Sequence, residues 1–279
     1  MSDTSTLLDL TGDSARVLII IPTYDEVQNI EDIVRRSLLN LPKGHVLIVD
    51  DGSPDGTGIL ADHMASEDLR IHAIHRQGKL GLGSAYIAGF EWGLARGYDI
   101  LVQMDADGSH RPETLSELIS ALANGNSWVP RVDLVIGSRW INGGSVENWP
   151  RRRELLSRGG NFYARIALGM KVRDATAGYR AYRADLLRGM DLSTINSHGY
   201  CFQVDLTLRA LAAKSGIVEV PIVFRERERG KSKMTRGIVM EALVKVTIWG
   251  GSRRVAQLSR MLRIRRRASA GVRRTLDVS

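Results

Sequence analysis

Unbroken apolar runs, each followed by a segment of helical period, constrain this chain more than any other feature. Val17-Leu18-Ile19-Ile20-Ile21 follows Arg16 and stops at Pro22. Val46-Leu47-Ile48-Val49 stops at Asp50-Asp51, and Leu134-Val135-Ile136-Gly137 stops at Ser138-Arg139. A strand over Ile100–Met104 stops at Asp105, and a shorter one covers Ile71–Ile74. Between them, Val27–Leu41 sets Ile30, Ile33, Val34, Leu38 and Leu41 near helical spacing. Further helices are expected near Ile59–Met64, over Leu82–Ala95 and near Glu113–Ala123. Strands apolar on both faces belong to a parallel sheet covered on both sides, so the fold class is α/β. In such sheets ligands sit beyond the carboxyl ends of the strands.

The second half reads differently. It offers a basic helix over Arg151–Leu168, a turn-rich stretch over Asp174–Arg183 and a helix near Val204–Ala213. A strand over Ile217–Phe224, a polar basic loop over Arg225–Arg236 and an apolar-rich helix over Ile238–Ile248 follow. This divides the chain into a leader over 1–15, one domain over 16–250 and a basic tail over 251–279.

Three strand ends carry distinctive chemistry. Asp105 and Asp107 are one residue apart, and on an extended strand end such residues point the same way. They suit one hard cation, Mg²⁺ or Mn²⁺, with phosphate oxygens completing its shell. Val49-Asp50-Asp51-Gly52-Ser53-Pro54 is rich in turn formers, but adjacent acids are not needed for a turn. They would grip a ribose, a base edge or the cation. At Pro22-Thr23-Tyr24-Asp25-Glu26, Tyr24 would lie against a base or sugar, Glu26 would accept hydrogen bonds from it, and Asp25 would cap the next helix. Arg139 brings a cation to the same edge, and Arg153 and Ser157 stand at i, i+4 on a helix, where they would cradle a second phosphate. Gly78-Lys79-Leu80-Gly81-Leu82-Gly83 lacks the spacing of a phosphate loop and reads as close packing at a helix start. The segment around Gly230 would be a basic lid.

Of the 39 basic and 31 acidic residues, nine arginines and one acid fall in 253–279, which leaves the body balanced. That argues against nucleic acid as a partner of the body. The tail interleaves Val255, Leu258, Met261, Leu262 and Ile264 with arginines, a pattern suited to an anionic membrane surface, with disorder or an RNA contact as the alternatives. The single cysteine, Cys201, fits a reducing compartment. No secretory signal is read at the N-terminus, and no run reaches the roughly 18 apolar residues of a spanning helix.

Taken together, Ile21-Pro22-Thr23-Tyr24-Asp25-Glu26, Asp50 to Thr57, Met104 to Glu113, Gly137-Ser138-Arg139, Thr176 to Arg180, Gly199 to Gln203 and Gly230 to Lys233 resemble a family 2 glycosyltransferase of GT-A (Rossmann-like) fold. More narrowly they are similar to the dolichol-phosphate and polyprenol-monophosphomannose synthases, from about Val17 to Ile248. The resemblance implies a mostly parallel sheet with C-terminal amphipathic helices. It implies that Pro22, Tyr24, Glu26, Val49 and Asp51 hold the nucleotide of GDP-mannose, with Asp105, Ala106 and Asp107 at the donor and its cation. Asp105, Asp107 and Arg139 would be catalytic, and Ser109 would stand beside Asp105 and Asp107 at the metal. Arg139 would span both phosphates, Arg153 and Ser157 would hold the acceptor phosphate, and Arg227 and Lys233 would belong to a closing loop on the donor. Asp25 stands where the family usually has Asn.

The implied reaction joins mannose from GDP-mannose to polyprenyl phosphate with inversion. The acceptor is already an anion near neutral pH, so no general base is needed. The implied setting is the cytoplasmic face of the membrane, peripherally bound, with a membrane-protein partner as one way of staying there. Transfer of glucose to the same lipid is the same-fold alternative. A nucleotide-binding oxidoreductase is disfavoured because no glycine fingerprint follows the first strand.

Overall fold

The computed structural model describes residues 15–125, 127–195, 200–226 and 243–251. A seven-stranded sheet runs in the order β3-β2-β1-β4-β7-β5-β8. Its strands are β1 (Val17–Thr23), β2 (His45–Asp50), β3 (Ile71–His75), β4 (Ile100–Gln103), β5 (Leu134–Ser138), β7 (Arg180–Arg183) and β8 (Ile217–Pro221). Helices α1 (Ile30–Asn40), α2 (Thr57–Glu67), α3 (Leu82–Ala95), α4 (Leu115–Asn124), α5 (Arg151–Leu168), α6 (Ala184–Arg188) and α7 (Tyr200–Ala212) flank it. Two short strands, β6 (Ser145–Glu147) and β9 (Val223–Arg225), pair beside the main sheet.

The alternation in β1 explains the two layers. Val17, Ile19 and Ile21 face one core with α1, α2 and α4, including Ile30, Val34, Ala61 and Leu118. Leu18 and Ile20 face the other, with Tyr86 and Phe90 of α3, Ala164 of α5 and Leu206 of α7. Each such side chain, fully buried, contributes about 1.5–3 kcal/mol of transfer free energy.

The sheet is mostly parallel, as the apolar runs require. The exception is β7, which lies antiparallel between β4 and β5, with Gln103 opposite Arg180 and Ile136 opposite Arg180 on the other side. The segment that holds it reads from the sequence as turn-rich. Arg-Ala-Tyr-Arg offers no apolar run, and Arg180 is nevertheless fully buried. Its guanidinium is met by the carbonyls of Ala177 (2.7 Å), Ala175 (2.7 Å) and Gln203 (3.0 Å) and by Thr207 Oγ1 (3.0 Å). Those bonds make burial of the cation tolerable without a carboxylate.

The single strand expected over Ile217–Phe224 is broken in two. Pro221 ends β8 opposite Ser138, and a proline offers no N–H to continue a ladder. The chain then turns at Ile222 and pairs Val223–Arg225 with Ser145–Glu147. Of the glycines over Gly78–Gly83, Gly78 has open space where a Cβ would stand, Gly83 is buried in the first turn of α3, and further close packing lies deeper in that helix. A Cβ on Gly93 would meet Leu18 at 2.7 Å, and one on Gly89 would collide with Ile20. Residues 243–251 are helical and pack Val246 into the core beside α5, in keeping with the amphipathic C-terminal segment. No helix among the described residues is long and apolar enough to cross a membrane. Residues 1–14 of the leader, the lid residues Arg227 and Lys233, residues 238–242 of the expected C-terminal helix and residues 252–279 of the tail lie outside the described residues.

Candidate active site

The carboxyl ends of β1, β2, β4 and β5 share one edge of the sheet, and the loops that follow them form the site. Pro22 and Val49 are register partners on β1 and β2 and are buried, so they form its floor. Tyr24 leaves β1 half-buried, and Lys79 Nζ sits 4.0 Å from its ring centroid. Asp25 follows with φ +57°. That left-handed conformation favours Asn, Asp or Gly, and so accommodates an aspartate here. Asp25 does not cap α1, whose N-cap is Asn29. Glu26 instead accepts a bond from Asn29 Nδ2 at 2.8 Å, and its N–H donates to Thr57 Oγ1 at 3.0 Å.

The adjacent acids divide their work. Asp50 locks the loop, accepting from Thr23 Oγ1 (3.0 Å), Ser53 Oγ (2.5 Å) and Ser53 N (3.0 Å). Asp51 pairs with Arg76 Nη1 at 2.6 Å. Burial pushes the Asp51 carboxyl upward, against the pull of Arg76.

At the end of β4, Asp105 Oδ1 accepts the Tyr86 hydroxyl at 2.7 Å. Burial, then the Asp105 charge, raises the Tyr86 phenol well above its ordinary range, so it stays a donor. The Asp105 N–H donates to His110 Nδ1 at 3.0 Å. Burial lowers the His110 pKa against the attraction of Asp105 and Asp107, which keeps the ring neutral with its proton on Nε2. His110 stacks on Tyr179 at 5.0 Å, and a Cβ on Gly178 would lie 3.3 Å from the ring. Ala106 is buried between the acids. Asp107 Oδ1 accepts the Ser109 N–H at 3.0 Å, and the buried Ser109 Oγ has no hydrogen-bond partner among the described residues.

Two carboxylates and an unspent hydroxyl fit a hard divalent cation, all of them oxygen donors. Among the described residues no three His, Cys, Asp or Glu side chains gather for a metal. A cation at Asp105 and Asp107 would therefore draw the rest of its shell from Ser109, water and ligand phosphate. Ala106 and Asp107 also line a polar cavity of about 230 Å³ with Arg111, Arg225 and Glu226.

Arg139 follows β5 and is nearly buried. Its Nε and Nη2 grip Asp174 at 2.7 Å each, and Nη2 reaches Thr176 Oγ1 at 2.9 Å. Trp140, Trp149 and Phe224 surround the guanidinium at 5.4–5.5 Å. Phe224 also meets His110 edge-on at 5.5 Å, which links Arg139 to the Asp105 loop. The arginine and the Asp105 loop are thus joined through Phe224 and His110. Sequence reasoning missed Asp174, a fully buried carboxylate that also accepts Asn161 Nδ2 at 3.2 Å. Its signal was an acid just before Thr176-Ala177-Gly178-Tyr179.

Arg153 and Ser157 do share a face of α5. Arg153 lies 4.1 Å over Trp149 and pairs through Nη1 with Glu226. Both residues, with Thr176, supply the polar lining of a groove of about 330 Å³ whose other walls include Leu155, Leu156, Val204, Leu243 and Val246. Gly159 and Gly160 border it, and a Cβ on either would meet nothing within 4 Å.

The chain is similar to many curated proteins, three of which follow. It is 55% identical over 236 residues to the polyprenol monophosphomannose synthase of Mycolicibacterium smegmatis, covering 84% of this chain and 87% of that one. It is 56% identical over 235 residues to the undecaprenyl-phosphate mannosyltransferase of Micrococcus luteus, covering 84% and 94%. With the dolichol-phosphate mannosyltransferase of Pyrococcus furiosus it shares 37% identity over 233 residues, covering 82% and 62%. The glucosyl-3-phosphoglycerate synthase of Mycobacterium tuberculosis, solved with Mn²⁺, UDP-glucose and phosphoglyceric acid, has the same fold at TM-score 0.63 and 21% identity, covering 85% and 80%. Residues 18–190 match the glycosyl transferase family 2, and the chain belongs to that family.

Proposed function

We propose that this chain transfers mannose from GDP-mannose to polyprenyl phosphate, giving polyprenyl-phosphate-mannose and GDP. One observation carries the acceptor class: an apolar groove whose polar lining includes Arg153, Ser157 and Thr176 adjoins, through the Arg153–Glu226 pair, the polar cavity that Asp107 lines. A phosphate on a long hydrocarbon chain matches both parts. The names of the relatives at 55% and 56% identity support the same sugar and the same lipid class.

Tyr24, Glu26 and Asp51 would hold the nucleotide above the floor of Pro22 and Val49, with Ala106 beside the diphosphate. Asp105, Asp107 and Ser109 would hold Mg²⁺ or Mn²⁺, which stabilises a departing diphosphate when bound. Tyr86 and His110 fix the Asp105 loop, so the carboxylate is aimed before substrate arrives. Asp174 fixes the Arg139 guanidinium, which would face both phosphates. Arg153 and Ser157 would take the acceptor phosphate. Arg227 and Lys233 would close over the donor. A phosphate monoester has its second pKa near 6, so the nucleophile needs no base. The protein's task is to hold two anions together in line for displacement, and an attack from the far face inverts the anomeric carbon.

The groove also fixes how the chain would sit. Leu155, Leu156, Phe162 and Ile166 of α5 and Val244 and Ile248 of the C-terminal helical segment are exposed around it, beside the exposed Arg151, Arg152 and Arg158. This face, with the arginine tail, would rest on an anionic cytoplasmic membrane surface. Such seating would supply the lipid directly, with or without a membrane-protein partner. The decisive assay uses purified protein, polyprenyl phosphate and radiolabelled GDP-mannose or UDP-glucose, with and without EDTA. Mannosyl lipid formed only without EDTA is expected, and glucosyl lipid in its place would overturn the donor.

A further inference from the structure

The partner of Arg153 is itself informative. Glu226 follows β9, and its backbone N–H donates to Glu147 O at 3.0 Å, so the strand pairing fixes its place. One residue earlier, the Arg225 N–H reaches Ser109 O at 3.4 Å, which ties the same strand to the Asp107–Ser109 loop. Glu226 lines the polar cavity with Asp107, while Arg153, its ion-pair partner, lines the apolar groove. The pair therefore joins the walls of the two cavities. Both side chains are mostly covered, and the Arg153 Nε is buried without a hydrogen-bond partner among the described residues. A guanidinium has five N–H donors, and the hydrogen bond described for this side chain uses only one of them.

We propose that Glu226 is the specificity-determining residue of the acceptor site, a carboxylate that occupies Arg153 until a phosphate monoester dianion displaces it. This rests on the reading of Arg153 as an acceptor-phosphate residue. A carboxylate brings one negative charge and two oxygens to the guanidinium. A phosphate monoester brings close to two charges and three strong acceptor oxygens, and so competes successfully. A singly charged anion does not. The displaced carboxylate stays near Arg111 and Arg225, which line the same cavity. Glu226 thus lowers the affinity of the site for all anions, and most for the weakly charged ones.

The test compares farnesyl phosphate with farnesyl sulfate, equal in chain and different in charge, by calorimetry on the full chain near pH 8. Wild-type protein is expected to prefer the phosphate by at least about ten-fold. Glu226→Gln is expected to bind the sulfate about ten-fold more tightly and to cut the preference at least about five-fold, while Glu226→Asp keeps most of it. Equal affinity of the wild type for both lipids overturns the proposal whatever the variants do. So does an unchanged preference in a Glu226→Gln protein that melts normally. A wild type that binds neither lipid removes the acceptor reading itself, whereas one that binds farnesyl phosphate and loses it on Arg153→Ala keeps that reading and leaves Glu226 alone on trial.

Discussion

The two edges of the main sheet treat polar groups in opposite ways. At the amino edge, His45 Nδ1 and His72 Nε2 lie 3.1 Å apart, and the Tyr98 hydroxyl is 3.0 Å from the first and 3.4 Å from the second. Trp92 packs on His72 at 4.9 Å, and Arg16 and Arg96 lie over Tyr98 and Trp92 at 4.4 and 4.0 Å. These groups satisfy one another. At the carboxyl edge, Ser109 Oγ, Arg153 Nε and the indole N–H groups of Trp140 and Trp149 are buried and have no hydrogen-bond partners among the described residues. A buried donor or acceptor left unpaired costs about 1–3 kcal/mol. One edge is closed and stabilising. The other holds unspent hydrogen-bonding capacity, as a site built for charged ligands must.

On that contrast, substitutions at the carboxyl edge break turnover and those at the amino edge change stability alone. The largest effect is expected for Asp107→Ala, which should lower metal-dependent transfer by at least about a hundred- to a thousand-fold in the labelled-mannose assay. Normal metal-dependent activity in that variant would refute the site. Asp174→Ala leaves Arg139 buried without its carboxylate, and chemical denaturation should show a loss of about 3–5 kcal/mol. It is the one carboxyl-edge change expected to cost both stability and activity, so it sharpens the contrast. Arg153→Ala should raise the KM for polyprenyl phosphate about ten-fold or more and leave the KM for the donor nearly unchanged.

The smallest effect tests the amino edge. Burial lowers the pKa of both His45 and His72 below the ordinary value. Below about pH 6.5 the unfolded chain therefore takes up protons that the folded chain refuses, and stability falls. Melting temperature should rise from about pH 5 to about pH 7 and then level off. His72→Gln should flatten part of that slope without altering transfer at pH 8, and a variant with reduced turnover would erase the division between the edges.

Much of this was legible in the residue order, for physical reasons. The runs at Val17–Ile21, Val46–Val49 and Leu134–Ile136 are buried on both faces, and only a covered parallel strand needs that. The paired acids at Asp105 and Asp107 end such a run, which gave their position at the sheet edge. The helices over Leu82–Ala95 and Arg151–Leu168 keep the bounds their periodicity gives. What stayed hidden depends on partners distant in the chain. Arg180 can be buried because carbonyls from Ala175 to Gln203 converge on it. Asp174 reads as one more acid in a turn until Arg139, 35 residues away, closes on it. The role of Asp25 followed from a backbone angle and not from capping.

The glycines of α3 have a consequence at some distance. Tyr86, Gly89 and Gly93 fall along one stripe of the helix, and the two glycines let its backbone settle onto Ile20 and Leu18 of the first strand. The depth of that seat sets the reach of the Tyr86 hydroxyl toward Asp105. A single methyl group at position 93 would lift the helix and carry the phenol with it. The aim of the carboxylate is thus calibrated by two missing side chains, and a variant far from any ligand would be felt as a poorer grip on the cation.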